Sequence, residues 1–91
     1  MTLAVEARDF LFAPSALTAP ADTPFRIAFS NVDAAIPHNV TIALSAGASR
    51  FSGQIITGPS SITYVIPALA GGDYVLGCIV HPAMTGSLTV R

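Results

Sequence analysis

An all-β sandwich or barrel is the fold class this sequence predicts, and two observations carry the prediction. Apolar residues recur with a period of two in short runs separated by turn signals. Prolines at 14, 20, 24, 37, 59, 67 and 82, with seven glycines between them, interrupt the chain too often for a substantial helix. Taken in order, Leu3 and Val5 alternate with Ala4 and Glu6, and Phe25, Ile27 and Phe29 with Arg26, Ala28 and Ser30. Val40, Ile42 and Leu44 alternate with Thr41 and Ala43, and Ile62, Tyr64 and Ile66 with Thr63 and Val65. The last run sets Leu88 and Val90 against Ser87 and Thr89. Ser45 to Ser61 is rich in Ser, Gly and Ala and fits no template. It is expected to be a long connection that crosses between sheets and carries a short edge strand.

At 91 residues the chain is long enough for one core, so residues 1–91 are expected to form a single domain. A hydrophobic fraction of 52% against 10% charged argues against disorder. The formal net charge is −1, with four arginines, no lysine and no run of like charge, which excludes a nucleic-acid partner. One cysteine cannot form an internal disulfide. The start, Met1 to Glu6, lacks the basic and apolar regions of a signal peptide and reads as a strand. The weakly polar stretch Ile66 to Val80 is broken by Pro67, Gly71, Gly72 and Asp73, so no membrane span is expected. Two origins stay open: a leader or anchor has been removed, or the domain comes from a larger protein.

The chemistry concentrates in Cys78-Ile79-Val80-His81-Pro82-Ala83-Met84. This stretch holds a thiolate, an imidazole and a thioether, and a second imidazole, His38, lies upstream in Ile36-Pro37-His38-Asn39-Val40. These two stretches contain the chain's one cysteine, both histidines and its only methionine after Met1. Soft and borderline donors of this kind suit copper, and two His, one Cys and a weak axial Met make the ligand set of an electron-transfer copper centre. Parity supports convergence. His38 shares its phase with Val40 and Ile42, and Cys78 shares its phase with Tyr74 and Leu76. Both ligands should therefore face inward at strand ends, at one pole.

Each residue alone has an ordinary reading: Cys78 as a small core residue, His38 and Asn39 in a turn, Met84 as core filling, Pro37 and Pro82 as strand punctuation. Together, C-x2-H-x2-M after one strand and P-H-N entering another point to a single metal site. Gly77 allows close backbone approach, Pro82 restricts the loop, and Asn39 is placed to tie the two loops together. Ala34, Ala35, Ile36, Pro37, Pro82 and Ala83 would form an apolar flank that keeps water away.

At this point the chain resembles the cupredoxin family of small blue copper proteins, and its ligand loop is similar to that of amicyanin. Phe12-Ala13-Pro14 with Leu17, the Phe25–Phe29 strand with Asn31, and the final Met84 to Val90 resemble the same family. The resemblance covers nearly the whole chain apart from Ser45–Ser61. It implies a Greek-key β-sandwich of about seven or eight strands. It also implies His38, Cys78 and His81 as equatorial ligands of one Cu(I)/Cu(II) ion per chain, and Met84 as the axial one. Asn39 would brace the loops, with Pro37 and Pro82 beside it. The family's usual proline before the second histidine is Val80 here, and no acidic patch of the plastocyanin kind is present.

The leading expectation is a monomeric, extracytoplasmic or periplasmic electron carrier that meets redox partners through the apolar surface around His81. A copper carrier, chaperone or sensor using the same ligands is the alternative. An enzyme such as a nitrite reductase or multicopper oxidase would need more histidines than this chain has, and a metal-free binding domain would leave the ligand set without a purpose.

Overall fold

The period-two runs fold as strands, and the computed structural model, which covers residues 1–91, contains no helix. The strands are β1 (Thr2–Arg8), β2 (Leu11–Ala13), β3 (Ala16–Ala19), β4 (Phe25–Asn31), β5 (Pro37–His38), β6 (Thr41–Leu44), β7 (Ser49–Ser52), β8 (Ile56–Thr57), β9 (Ser60–Ile66), β10 (Gly72–Gly77) and β11 (Thr85–Val90). Eight of these eleven are four residues or longer, and the other three are short segments near turns.

Two sheets pack face to face, one in the order β2-β1-β4-β9 and the other β3-β11-β10-β6-β7, with β5 and β8 forming a small separate ribbon. The chain changes sheet between β2 and β3, where Pro14 falls outside the ladders. It changes again from β4 to β6 and from β7 to β9, then returns to finish as the β10–β11 hairpin. Two pairings are parallel, β1 with β4 and β11 with β3, and the remainder of both sheets is antiparallel. This is the Greek-key sandwich that the alternation and the resemblance implied. The Ser45–Ser61 stretch makes the expected crossing and carries β7 as an edge strand.

The inward phase of each strand supplies the core. Val5, Phe25, Ile27, Phe29, Ile42, Tyr64, Ile66, Tyr74, Leu76, Leu88 and Val90 are all buried. Full burial of side chains this size contributes about 1.5–3 kcal/mol each before the cost of ordering the chain. At one end the core turns polar: Asn31, His38 and Asn39 are its buried polar residues, and each is hydrogen-bonded. No helix is long and apolar enough to cross a membrane.

Candidate metal centre

The β10–β11 register ends on the pair Gly77–Thr85, which leaves Cys78 to Met84 as the closing loop. Within it the His81 amide donates to the Cys78 carbonyl at 3.2 Å, and the Met84 amide to the His81 carbonyl at 2.9 Å. Two successive turns of this kind advance the chain three residues at a time. As in a 3₁₀ helix, residues three apart then lie on the same side, so the C-x2-H-x2-M spacing sets Cys78, His81 and Met84 over one pole. Cys78 and Met84 are buried and His81 is half-exposed. Gly77 pairs with Thr41, and a Cβ there would lie 2.9 Å from the Thr41 Oγ1. Its bare backbone thus lets β10 close on β6 just before the thiol.

His38 reaches the same pole from β5. Its Nδ1 lies 3.7 Å from the Cys78 Sγ, and both residues are buried. The His38 Nε2–H donates to the Asp33 Oδ2 at 2.7 Å, and the His81 Nε2–H donates to the Pro37 carbonyl at 3.1 Å. A carboxylate and a carbonyl can only accept, so both protons are assigned to Nε2, and a neutral ring then keeps its lone pair on Nδ1. Asn39 binds both ways: it accepts from the Ile79 amide and donates to the Gly53 carbonyl, each at 2.9 Å. Asn39 thus joins the His38 segment to the Cys78–Met84 loop and to the β7–β8 connection.

These donors suit a thiophilic metal. Nitrogen and sulfur ligands at about 2.0 and 2.3 Å from one ion, at tetrahedral to trigonal angles, stand about 3.5–3.7 Å apart, close to the separation of His38 Nδ1 and Cys78 Sγ. The structure brings His38 and Cys78 into direct contact. It stacks His81 edge-on against His38 with ring centroids 4.8 Å apart, and buries Met84 at the loop's end. No three His, Cys, Asp or Glu side chains close into a ready-made cage.

Asp33, Phe10 and Gly58 escaped the sequence reading. The Asp33 carboxylate accepts from the amides of Asp9 at 2.7 Å and Phe10 at 3.1 Å as well as from His38. Burial pushes its pKa up, but the hydrogen bonds from the Asp9 and Phe10 amides and from His38 outweigh this and hold it below the usual carboxylate range. Asp9 and Phe10 both have positive φ, 53° and 61°, in the tight turn joining β1 to β2. That turn sets the Phe10 ring edge-on to His81 at 4.7 Å and to His38 at 5.4 Å. Gly58 packs where any Cβ would strike the Asp33 carbonyl and the Asn31 side chain. Asn31 Oδ1 in turn accepts from the Asp33 amide at 3.0 Å. The one legible signal was Asn31-Val32-Asp33, an Asx-turn pattern.

Apolar side chains outside the expected flank are exposed near the loop. Phe10, Leu11, Ile79 and Val80 are exposed beside Pro82 and Ala83. An open cavity of about 500 Å³ lies between the Asp9–Leu11 turn and Val80–Met84, with His81 in its wall.

The comparisons with known proteins bear on family and fold. The family model described as a cupredoxin-like domain matches residues 1–90. The chain belongs to the cupredoxin-like family. Among solved structures, this cupredoxin is similar to dithionite-reduced auracyanin from Roseiflexus castenholzii, with a TM-score of 0.85 and 21% identity over 99% of this chain and 96% of that one. Auracyanin A, a "blue" copper protein from Chloroflexus aurantiacus, gives 0.84 and 21% over 100% and 98%. Amicyanin from Paracoccus versutus gives 0.74 and 23% over 99% and 81%. At these identities the likeness establishes the fold. No curated protein matches the sequence.

Proposed function

We propose that this cupredoxin is a one-electron carrier holding a single copper ion with His38, Cys78, His81 and Met84. The observation that carries the reading is the buried pair of His38 Nδ1 and Cys78 Sγ at 3.7 Å, with the Nε2 of each imidazole bonded to an oxygen. Bound copper would supply reversible one-electron chemistry between Cu(I) and Cu(II). The protein's part is to aim both Nδ1 lone pairs, keep the thiol from water and leave one edge of His81 accessible. Burial of Cys78 and His38 favours retention over hand-off and sets the carrier reading above a copper chaperone or sensor. With two histidines and one cysteine in all, the chain offers no second metal centre, and we read it as a non-enzyme.

Partners would dock on the apolar rim around His81, through the small interfaces of transient redox encounters. The near-neutral charge implies weak long-range steering. We take residues 1–91 as one functional unit, working as a monomer. An extracytoplasmic setting rests on the family resemblance alone.

Titration with Cu(II), followed by visible absorption and EPR, tests the site. An intense thiolate-to-copper band with narrow hyperfine splitting, saturating at one copper per chain, is expected. The Cys78→Ala variant should lose that band completely while its apo form stays folded. A band that survives in the variant, or a parent chain that never turns blue, would sink the assignment.

A further inference from the structure

We propose that Asp33 is a positioning residue for both imidazoles: its carboxylate fixes the His38 tautomer directly and holds the turn that seats Phe10 against His81. The redox part of this proposal rests on the electron-carrier reading above; the structural part does not. Three donors converge on the one carboxylate, the His38 Nε2–H at 2.7 Å and the amides of Asp9 and Phe10 at 2.7 and 3.1 Å. The side chain is 11% exposed and His38 is fully buried, so water competes little for these bonds.

The first consequence concerns the tautomer. A neutral buried imidazole has one proton, and an acceptor on Nε2 keeps that proton there. Nδ1, the nitrogen beside the thiol, is then always the lone-pair donor.

The second concerns the turn. Asp9 and Phe10 both occupy the left-handed region, where a non-glycine residue is strained and persists when its surroundings hold it. Two amides bonded to a single carboxylate supply that hold. Phe10, half of it exposed, is thereby kept edge-on to both rings rather than free in solvent. The clamp is itself clamped: Asn31 Oδ1 holds the Asp33 amide, and Gly58 lies too close to this segment to admit a side chain.

The third is electrostatic. A negative charge one imidazole away from a metal favours its more oxidised state, and the low local dielectric strengthens the effect. Neutralising Asp33 should therefore raise the reduction potential.

The test begins with the metal-free parent chain. Long-range ¹H–¹⁵N correlation of the imidazoles should find His38 protonated on Nε2 and bare on Nδ1, and a proton on Nδ1 overturns the proposal whether or not any variant folds. In Asp33→Ala, His38 should lose its single tautomer and the His81 ring protons should lose their ring-current shift from Phe10. Unchanged His38 and His81 signals in that variant overturn it. If Asp33→Ala does not fold, the tautomer found in the parent decides the clamp, and Asp33→Asn, which retains one acceptor oxygen and loses the charge, serves the electrostatic part. Voltammetry of the copper-loaded parent and Asp33→Asn should show a higher potential in the variant, and an equal or lower one overturns the electrostatic part. A parent chain that takes up no copper as a blue species overturns the carrier reading and the redox part with it, and the metal-free spectra then decide the clamp alone.

Discussion

Midway along the sandwich, Ile27, Phe29, Ile42, Leu76 and Leu88 are fully buried and apolar. At the pole, His38, Asn39, Asn31 and Asp33 are instead held by individual hydrogen bonds to turns and loops. The two regions are stabilised differently. Apolar burial is non-directional and scales with area, so the waist carries most of the stability and is indifferent to which neighbour supplies a methyl group. Hydrogen bonds are directional and costly when broken in the interior, so the pole fixes where its polar side chains lie and adds less to the fold. A cupredoxin can in this way lose its chemistry and remain folded, which is the outcome expected of Cys78→Ala.

Three measurements would break or sharpen that contrast. The largest effect should come from the waist: Phe29→Ala removes a ring stacked 5.8 Å from Tyr64 and should cost about 3–5 kcal/mol in denaturant unfolding. A loss no larger than that of a surface substitution would mean the waist is not the stabilising region. Next comes the pole's brace. Asn39→Ala leaves the Ile79 amide and the Gly53 carbonyl unpaired and should cost about 1–3 kcal/mol while disturbing the ligand loop. A variant with parent-like stability and a parent-like copper spectrum would show that Asn39 braces nothing.

The smallest effect lies where the two regions meet. Tyr64 packs on Phe29 and Phe51 and donates its hydroxyl to the Gln54 carbonyl at 2.7 Å. Burial, aided by the negative charge of Cys78 and opposed by the Val40 backbone, pushes its pKa from 10.0 up to about 12. Between those values the folded chain keeps a proton that the unfolded chain has lost. This contribution is therefore complete below pH 10 and disappears as pH rises to about 12. Unfolding midpoints at about pH 8 and about pH 11 should differ less in Tyr64→Phe than in the parent. Equal pH dependence in the two would rule the phenol out as the source.

The same contrast explains what could be read from the residues alone. Alternation placed Phe25, Ile27, Phe29, Tyr64, Ile66, Leu88 and Val90 inward because burial on a pleated sheet has a fixed period. Parity put His38 and Cys78 inside for the same reason, and its place beside His38 marked Asn39 as a candidate brace. Asp33 stayed hidden because its partners Asp9 and Phe10 lie more than twenty residues away and offer backbone amides, which every residue has. Phe10 was missed because nothing in Asp9-Phe10 announces two positive φ angles, a geometry usually taken by Gly or Asn. Period and composition report on faces; they are silent on which carbonyl or amide a distant turn will present.

The closing loop between Gly77 and Thr85 also bears on how such a molecule can change over time. Cys78, His81 and Met84 travel together in one segment whose ends are pinned by a fixed strand pair, while His38 arrives on a different part of the chain. Between those two anchors no residue takes part in a ladder of the sandwich. The loop can therefore vary as one replaceable cassette, and the frame that presents it need not evolve in step.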